Sequence, residues 1–244
     1  MINKILNKIR SSIANTKNLG KYALIDKTTI DRGINIRLDN PADRKYLFIG
    51  ENNVINSSFI FESKEGEVHI GNNCCILGST FISHTSIIIG NYVHIAWGTY
   101  LYDHDSHSPN PLYRRKDNLD ELNCIRNGVN FIQNKDWDVV NSRPIKIEND
   151  VWIGMNSVIF SGVSIGRGAI IGAGSYVRTN VPPYAIVIGN PAKIIGFTAT
   201  PEEISQLEER MYDVNDRLPL EKIEKNYKKY YLTRMRDIYN IQNL

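Results

Sequence analysis

The feature that most constrains this chain is a period of six. Ile147, Ile153, Ile159, Ile165, Ile171 and Val177 follow one another at six-residue intervals without a slip. That spacing is neither the roughly 3.6-residue repeat of a helix nor the alternation of a strand. It suits a coil of flat faces, each about six residues long, with one aliphatic per face pointing inward. Small residues or Asn, which tolerate a left-handed backbone, turn the corners. Upstream the register returns at Ile49, Ile55 and Phe61, then at Ile70, Ile76, Ile82 and Ile88. A one-residue step moves it to Ile89, Ile95 and Leu101, and Ile188 and Ile194 close the series. Glycine follows the marked position at Gly50, Gly71, Gly90, Gly154, Gly166, Gly172 and Gly189. Stacked rungs of this kind bury one another's aliphatic residues, which predicts a parallel β-helix. A β-sandwich, with turns every 8–12 residues or so, would space these positions irregularly.

Composition removes whole classes of function. A length of 244 residues predicts one main domain with appendages. A formal net charge of +3, with Lys and Arg interleaved among acids, leaves no nucleic-acid footprint. Cys74, Cys75 and Cys124 form neither a disulfide framework nor a CxxC metal pattern. No apolar run approaches the ~18 residues of a membrane span. The opening stretch MINKILNKIRSSIANTK is broken by charge too often for a signal peptide. A soluble protein in a reducing, cytoplasmic setting is expected.

Three segments fall outside the repeat. Residues 1–20 place Ile2, Ile5, Leu6, Ile9 and Ile13 at helical spacing, predicting an N-terminal helix docked on the barrel or on a neighbouring subunit. Its charges are all basic, so membrane association is compatible with it but not required, and it lacks a Trp or Phe anchor. Residues 21–199 then form the β-helix domain. Over 200–244 a helical extension is expected: Thr200-Pro201-Glu202-Glu203 reads as a capping box, with Ile204, Leu207 and Met211 as an apolar stripe. A second stretch carries Ile223, Tyr227, Tyr230 and Ile238. Between Leu101 and Ile147 the register is lost, and residues 102–144 leave the coil as an extruded loop. An excursion of that length inside a domain is usually functional.

At its root stands Asp103-His104-Asp105-Ser106-His107. Histidine is the usual general base near neutral pH, and a neighbouring carboxylate such as Asp105 fixes its tautomer and stabilises the imidazolium. The same group also reads as a hydrogen-bonded loop anchor or an opportunistic metal site. His69, His84 and His94 lie within rungs and read as structural or surface residues.

Two stretches carry a family likeness: VWIGMNSVIFSGVSIGRGAIIGAGSYV (151–177) and VIGNPAKIIG (187–196) resemble the hexapeptide-repeat acyltransferases. The resemblance implies an all-β main domain, a left-handed parallel β-helix, a homotrimer and acetyl-CoA as co-substrate, without a metal. Among the family, the polysaccharide and sugar O-acetyltransferases fit best, with a catalytic His after the coil preceding the loop. That implies His107 or His104 as the base, direct attack of the acceptor on the thioester, and a glycan or sugar-precursor acceptor. The family's V-W-x-G-x-N element falls on Val151-Trp152-Ile153-Gly154-Met155-Asn156, which implies an active-site role for Trp152; it equally reads as an apolar plug at a corner. Gly154, Gly172 and Ala173 are expected along a pantetheine groove, and Arg178, Asn190, Pro191 and Lys193 near the phosphates of CoA. Tyr102, Asp103, Tyr113, Arg114 and Trp137 are expected to contact the acceptor. An amino-sugar N-acetyltransferase and a small-molecule (xenobiotic) acetyltransferase are the alternatives, with a γ-type carbonic anhydrase and a non-catalytic trimeric scaffold more remote.

Overall fold

The computed structural model of the chain describes residues 14, 15 and 19–239. Its main body is a parallel β-helix in which the sixfold spacing becomes three columns of stacked side chains. One column runs Ile55, Ile76, Ile95, Ile153, Ile171, Val187, each paired in parallel with the next. A second runs Ile36, Phe59, Phe81, Leu101, Ile159, Val177. The third is Ile25, Ile49, Ile70, Ile89, Ile147, Ile165. All but Ile25 are buried, and together they form one continuous core. Phe59 and Phe81 stack with ring centroids 4.9 Å apart, filling the wider upper end.

The glycines after the marked positions have a packing reason. Asn72, Asn91 and Asn149 stack at one corner, each Oδ1 accepting a backbone N–H from the rung above, at 2.8–2.9 Å. A Cβ on Gly50 or Gly71 would lie 2.1 or 2.4 Å from such an Oδ1, so no larger residue fits beneath the Asn ladder.

Two parts of the expected register shift. Ile88 and Ile188 point outward and Ile82 is only half-buried, while Phe81, Ile87, Ile89 and Val187 point inward. The upper rungs use longer strands, Val54–Phe61 and Cys75–Ser83, so successive rungs there advance by more than the eighteen residues separating Ile153 from Ile171. In these strands alternation by two, rather than a fixed sixth residue, decides which side chains face the core.

Of the helix expected over residues 1–20, Ala14–Asn15 is instead a short strand antiparallel to Arg37 and Leu38, and helix α1 (Leu19–Tyr22) is one turn; the remainder lies outside the described residues. The lower end is closed by the antiparallel pair Ala185–Ile188 and Lys193–Phe197.

The excursion leaves after the strand Tyr100–Tyr102 and rejoins at Ile145–Ile147. It is not structureless: helix α2 (Pro111–Asn127) fills its middle, followed by a 3-10 turn at Phe131–Asn134. Asn110 caps α2 by accepting from Leu112 N, and Gly128 ends it in the left-handed conformation. Its apolar residues are spread around the axis and only Asp117 is buried, so no helical periodicity marks it in the sequence. Beyond the barrel, α3 (Pro201–Met211) carries the expected capping box and α4 (Leu220–Tyr239) follows. Buried Glu208 ties α3 to the lowest rungs through Tyr184 Oη and Arg167 Nη1, and accepts from Leu218 N in the segment before α4.

Candidate active site

The excursion's root is clamped before it opens. His104 and Ser142 form an antiparallel bridge, Asp105 N donates to Asn141 O at 3.0 Å, and Asp105 Oδ2 accepts from Asn141 Nδ2 at 3.0 Å. Asp105 therefore closes the root and touches neither histidine ring. Asp103 is likewise not placed to meet an acceptor. Its carboxylate is buried and accepts from Ser83 Oγ, His84 N, Thr85 N and Thr85 Oγ1 at 2.7–3.0 Å, so both oxygens are used within the barrel wall.

The two candidate bases part company. The His104 ring is fully enclosed; its Nδ1 accepts from Ser106 N at 3.2 Å, which places the ring proton on Nε2. Nε2 lies 3.3 Å from Glu62 Oε2 without hydrogen-bond alignment. Burial, followed by the neighbouring His84 and Lys135, drives the His104 pKa down to about 3. Burial also pushes the Glu62 carboxyl up to about 7, with Asp39 adding to the rise and Arg37 and Lys135 opposing it. His104 is thus an enclosed, neutral strut.

His107 sits on the far side of a tight turn. Ser106 has a positive φ of 59°, an unusual setting for a residue with a side chain, and His107 N donates to Asp105 O at 2.6 Å. The turn delivers the His107 side chain to the surface, 43% exposed, with Nδ1 2.8 Å from Oδ2 of the buried Asp117 on α2. A carboxylate at that distance accepts a hydrogen bond from Nδ1–H, which leaves Nε2 with a free lone pair. The Asp117 role had been expected of Asp105. The caps Asn110-Pro111 and Asn127-Gly128 mark the helix in the sequence, but nothing there marks Asp117 as the residue that turns inward.

Trp137 packs over this centre. Its ring stacks on His84 at 4.1 Å and meets the edge of His104 at 5.0 Å. Tyr102 packs against His104 at 4.3 Å and pairs with the Ser106 hydroxyl; burial raises its phenol pKa. Arg114 is spent on the loop, its Nη1 donating to Ser108 O and Pro109 O, while Tyr113 is exposed on α2.

Trp152 and the expected co-substrate residues are spread over the barrel. Trp152 is 55% exposed but pairs with His94 and Ile170 on a different face from the excursion's root. Gly154 and Gly172 meet the next rung rather than an open groove: a Cβ would lie 2.6 Å from Ala173 N and 3.0 Å from Ile188 Cγ1, respectively. Ala173 is exposed beside Gly174, where a Cβ would meet nothing. Arg178 stands over the Phe160 ring at 4.1 Å. It follows Tyr176, which continues the outward column Tyr100–Val158 down the root's own face. Asn190 and Pro191 are exposed in the closing turn, and Lys193 lines a cavity of about 620 Å³ with Val177, Thr179, Asn180, Asn226 and Lys229. Among the described residues no group of three or more His, Cys, Asp or Glu side chains is placed to hold a metal. No helix among them is long and apolar enough to cross a membrane.

Residues 144–178 match the family model described as the hexapeptide repeat of succinyl-transferase. A chloramphenicol acetyltransferase of Klebsiella aerogenes is 56% identical over 61 residues, 25% of this chain and 29% of that protein. A 2,3,4,5-tetrahydropyridine-2,6-dicarboxylate N-acetyltransferase of Staphylococcus aureus is 54% identical over 52 residues, 21% of this chain and 22% of that protein. The chain thus spans less than a third of the length of these curated relatives. Among solved structures, the polySia-specific acetyltransferase NeuO superposes with a TM-score of 0.53 at 25% identity, covering 71% of this chain and 70% of that one. The repeat, the three aliphatic columns and these likenesses make the chain similar to the hexapeptide-repeat acyltransferases, with the hexapeptide repeat itself matched over residues 144–178.

Proposed function

We propose that the protein is an acetyl-CoA-dependent O-acetyltransferase acting on a hydroxyl of a glycan or sugar precursor, with His107 as general base. The observation that carries this reading is the His107–Asp117 pair: an exposed imidazole oriented through Nδ1 by a buried carboxylate at 2.8 Å, at the mouth of the excursion. A sugar hydroxyl is too weak an acid to attack a thioester unaided. His107 Nε2 takes its proton as the oxygen adds to the thioester carbonyl carbon. The same nitrogen returns the proton to sulfur as the carbon–sulfur bond breaks, giving the ester and free CoA. Base catalysis of this kind contributes about 10²–10⁴-fold. His104 is enclosed and its Nδ1 already accepts from Ser106 N, which supports His107 over His104 as the base.

The distribution of cations supports CoA as the acyl donor. Arg178 lies two rungs below Tyr102 on the same face, about 10 Å at the usual strand spacing of roughly 4.8 Å. Lys193 and its cavity lie at the foot of that face. A donor laid down this face keeps its thioester by His107 and its phosphates by the cations. The family's left-handed coil and homotrimer belong to this reading. Trp152 and Ala173, exposed on another face, then meet a neighbouring protomer or its bound donor, and light scattering at a monomer's mass would remove them from the site.

A small-molecule acetyltransferase is the second reading, favoured by the 61-residue likeness to a chloramphenicol acetyltransferase. One experiment decides between them. Purified protein and acetyl-CoA are offered oligosaccharides, sugar nucleotides, amino sugars and chloramphenicol, with free thiol release and product mass as readouts. Ester formation on a sugar, reduced 10²–10⁴-fold by His107→Ala, is expected. Transfer only to amines or only to chloramphenicol would overturn the sugar-hydroxyl assignment, and full activity in His107→Ala would overturn the base.

A further inference from the structure

We infer that Lys135 sets the pH at which His107 works: its buried ammonium neutralises Asp117, so the carboxylate orients the imidazole without locking it in the protonated form. The inference rests on the proposed role of His107 as base and adds a residue to it.

Lys135 is an unusual lysine. Its side chain is 2% exposed, and that of Asp117 is 6% exposed. A buried ammonium is costly unless it is paired, and here Nζ lies 3.7 Å from Asp117 Oδ2 and 3.5 Å from His107 Nδ1. The faces of Trp137 and Phe131 hold it as well, with ring centroids 5.0 and 5.3 Å away. Asp117, at 2.8 Å, accepts the hydrogen bond from Nδ1–H, and the ammonium is therefore a neighbour of that nitrogen rather than its partner.

The consequence is electrostatic. A buried carboxylate with an imidazole as its sole partner favours the imidazolium, and a cationic ring accepts no proton. With Lys135 in place the carboxylate is already compensated, and protonating His107 sets two positive charges within a few ångströms. The ring keeps its orientation through the Nδ1 contact. Other charges face this group from each packed element. On α2, Lys116 is exposed, pairs with Asp120 and also feels Asp117. From the barrel, Glu62, His84 and His104 each respond to the Lys135 charge. Asp105, in the root turn, is held by Asn141 and contributes its carbonyl.

Two substitutions give opposite signs. A unit charge within about 4–6 Å moves a titration by one to three pH units. Lys135→Met should therefore shift the acid limb of the kcat profile upward by about one to two pH units, with activity recovered on raising the pH. Asp117→Asn should shift the limb downward and lower the plateau, and Lys135→Arg, which keeps the charge, should leave the limb near that of the unaltered protein. The His107 ring signal, followed by NMR through the same titrations, should move with the limb. If Lys135→Met fails to fold by circular dichroism, Lys135→Gln removes the same charge and carries the test. A limb that stays in place on loss of the charge, while His107→Ala abolishes turnover, overturns the role of Lys135 and leaves the base intact. Full turnover in His107→Ala overturns both.

Discussion

Glu62→Gln should make the protein gain stability on its parent as the pH rises, although it deletes a side chain in contact with Arg37 and His104. Glu62 is 14% exposed, 3.3 Å from His104 Nε2 and 3.7 Å from Arg37 Nη2. Burial, with Asp39 next, raises its carboxyl from the ordinary 4.5 to about 7. A carboxyl whose folded value is raised binds its proton more tightly folded than unfolded. Its contribution is fully present below the unfolded value and is lost as the pH climbs through the folded one. Integrated from pH 5 to pH 8, that loss is about 2–3 kcal/mol. Glutamine keeps the shape and does not titrate. The Arg37 attraction acts on the ionised carboxylate and is already contained in the value of about 7, so it needs no separate allowance. Urea unfolding of both proteins, at one protein concentration and at pH 5 and pH 8, measures the difference directly. The variant should improve on its parent by about 2–3 kcal/mol between the two. A constant difference, or one that moves against the variant at pH 8, would refute the argument that burial rather than pairing governs this carboxyl.

Phe81→Ala removes a fully buried ring from the second column and its stack on Phe59, and should cost about 3–5 kcal/mol in chemical denaturation. Arg167→Met leaves Glu208, 1% exposed, without its cation; a loss of about 3–5 kcal/mol, or release of α3 detected by proteolysis, is expected. Lys193→Ala should raise the KM for acetyl-CoA several-fold with kcat little changed, the sign of lost uniform binding in steady-state kinetics.

The lower barrel was legible because its rungs obey one rule. Ile147, Ile153, Ile159, Ile165, Ile171 and Val177 are each buried to within 1% of complete, and each is one face from the next. The upper barrel obeys a different rule. In Cys75–Ser83 the core side chains alternate by two, so a fixed step of six lands on Ile82 and then on exposed Ile88. The candidate site was half legible. His107 and Trp137 announce themselves by residue type and by lying where the repeat fails. Asp117 and Lys135 do not, because their meaning is a contact across the excursion, and α2 shows no apolar face to suggest which residue turns inward. Asp103 and Asp105 misled for the complementary reason: adjacency in sequence to a histidine says nothing about where a carboxylate points, and here both serve the fold.

Glu62 carries a sequence signal of another kind, visible once the rungs are aligned. The residue that leaves the second face is Asp39, then Glu62, then Ser83 with His84, then Asp103 with His104. The backbone takes the same step at the first two, with Asp39 N donating to Phe61 O and Glu62 N to Ser83 O, while Asp103, level with Ser83, donates back to Ile82 O and sets His104 level with His84. Parallel rungs therefore stack ionisable groups at one corner, at a spacing of roughly 5 Å. Unshielded, such a column would repel itself. The excursion folds back onto it: Asn130 and Gln133 donate to Asp39 O, Trp137 covers His84, and the Lys135 charge reaches Glu62. Covering the column removes water from it, which raises Glu62 and Asp103 and lowers His104. The same covering brings Asp117 and Lys135 to His107. The corner that costs the barrel stability is thus covered by the same excursion that brings Asp117 and Lys135 to the proposed base.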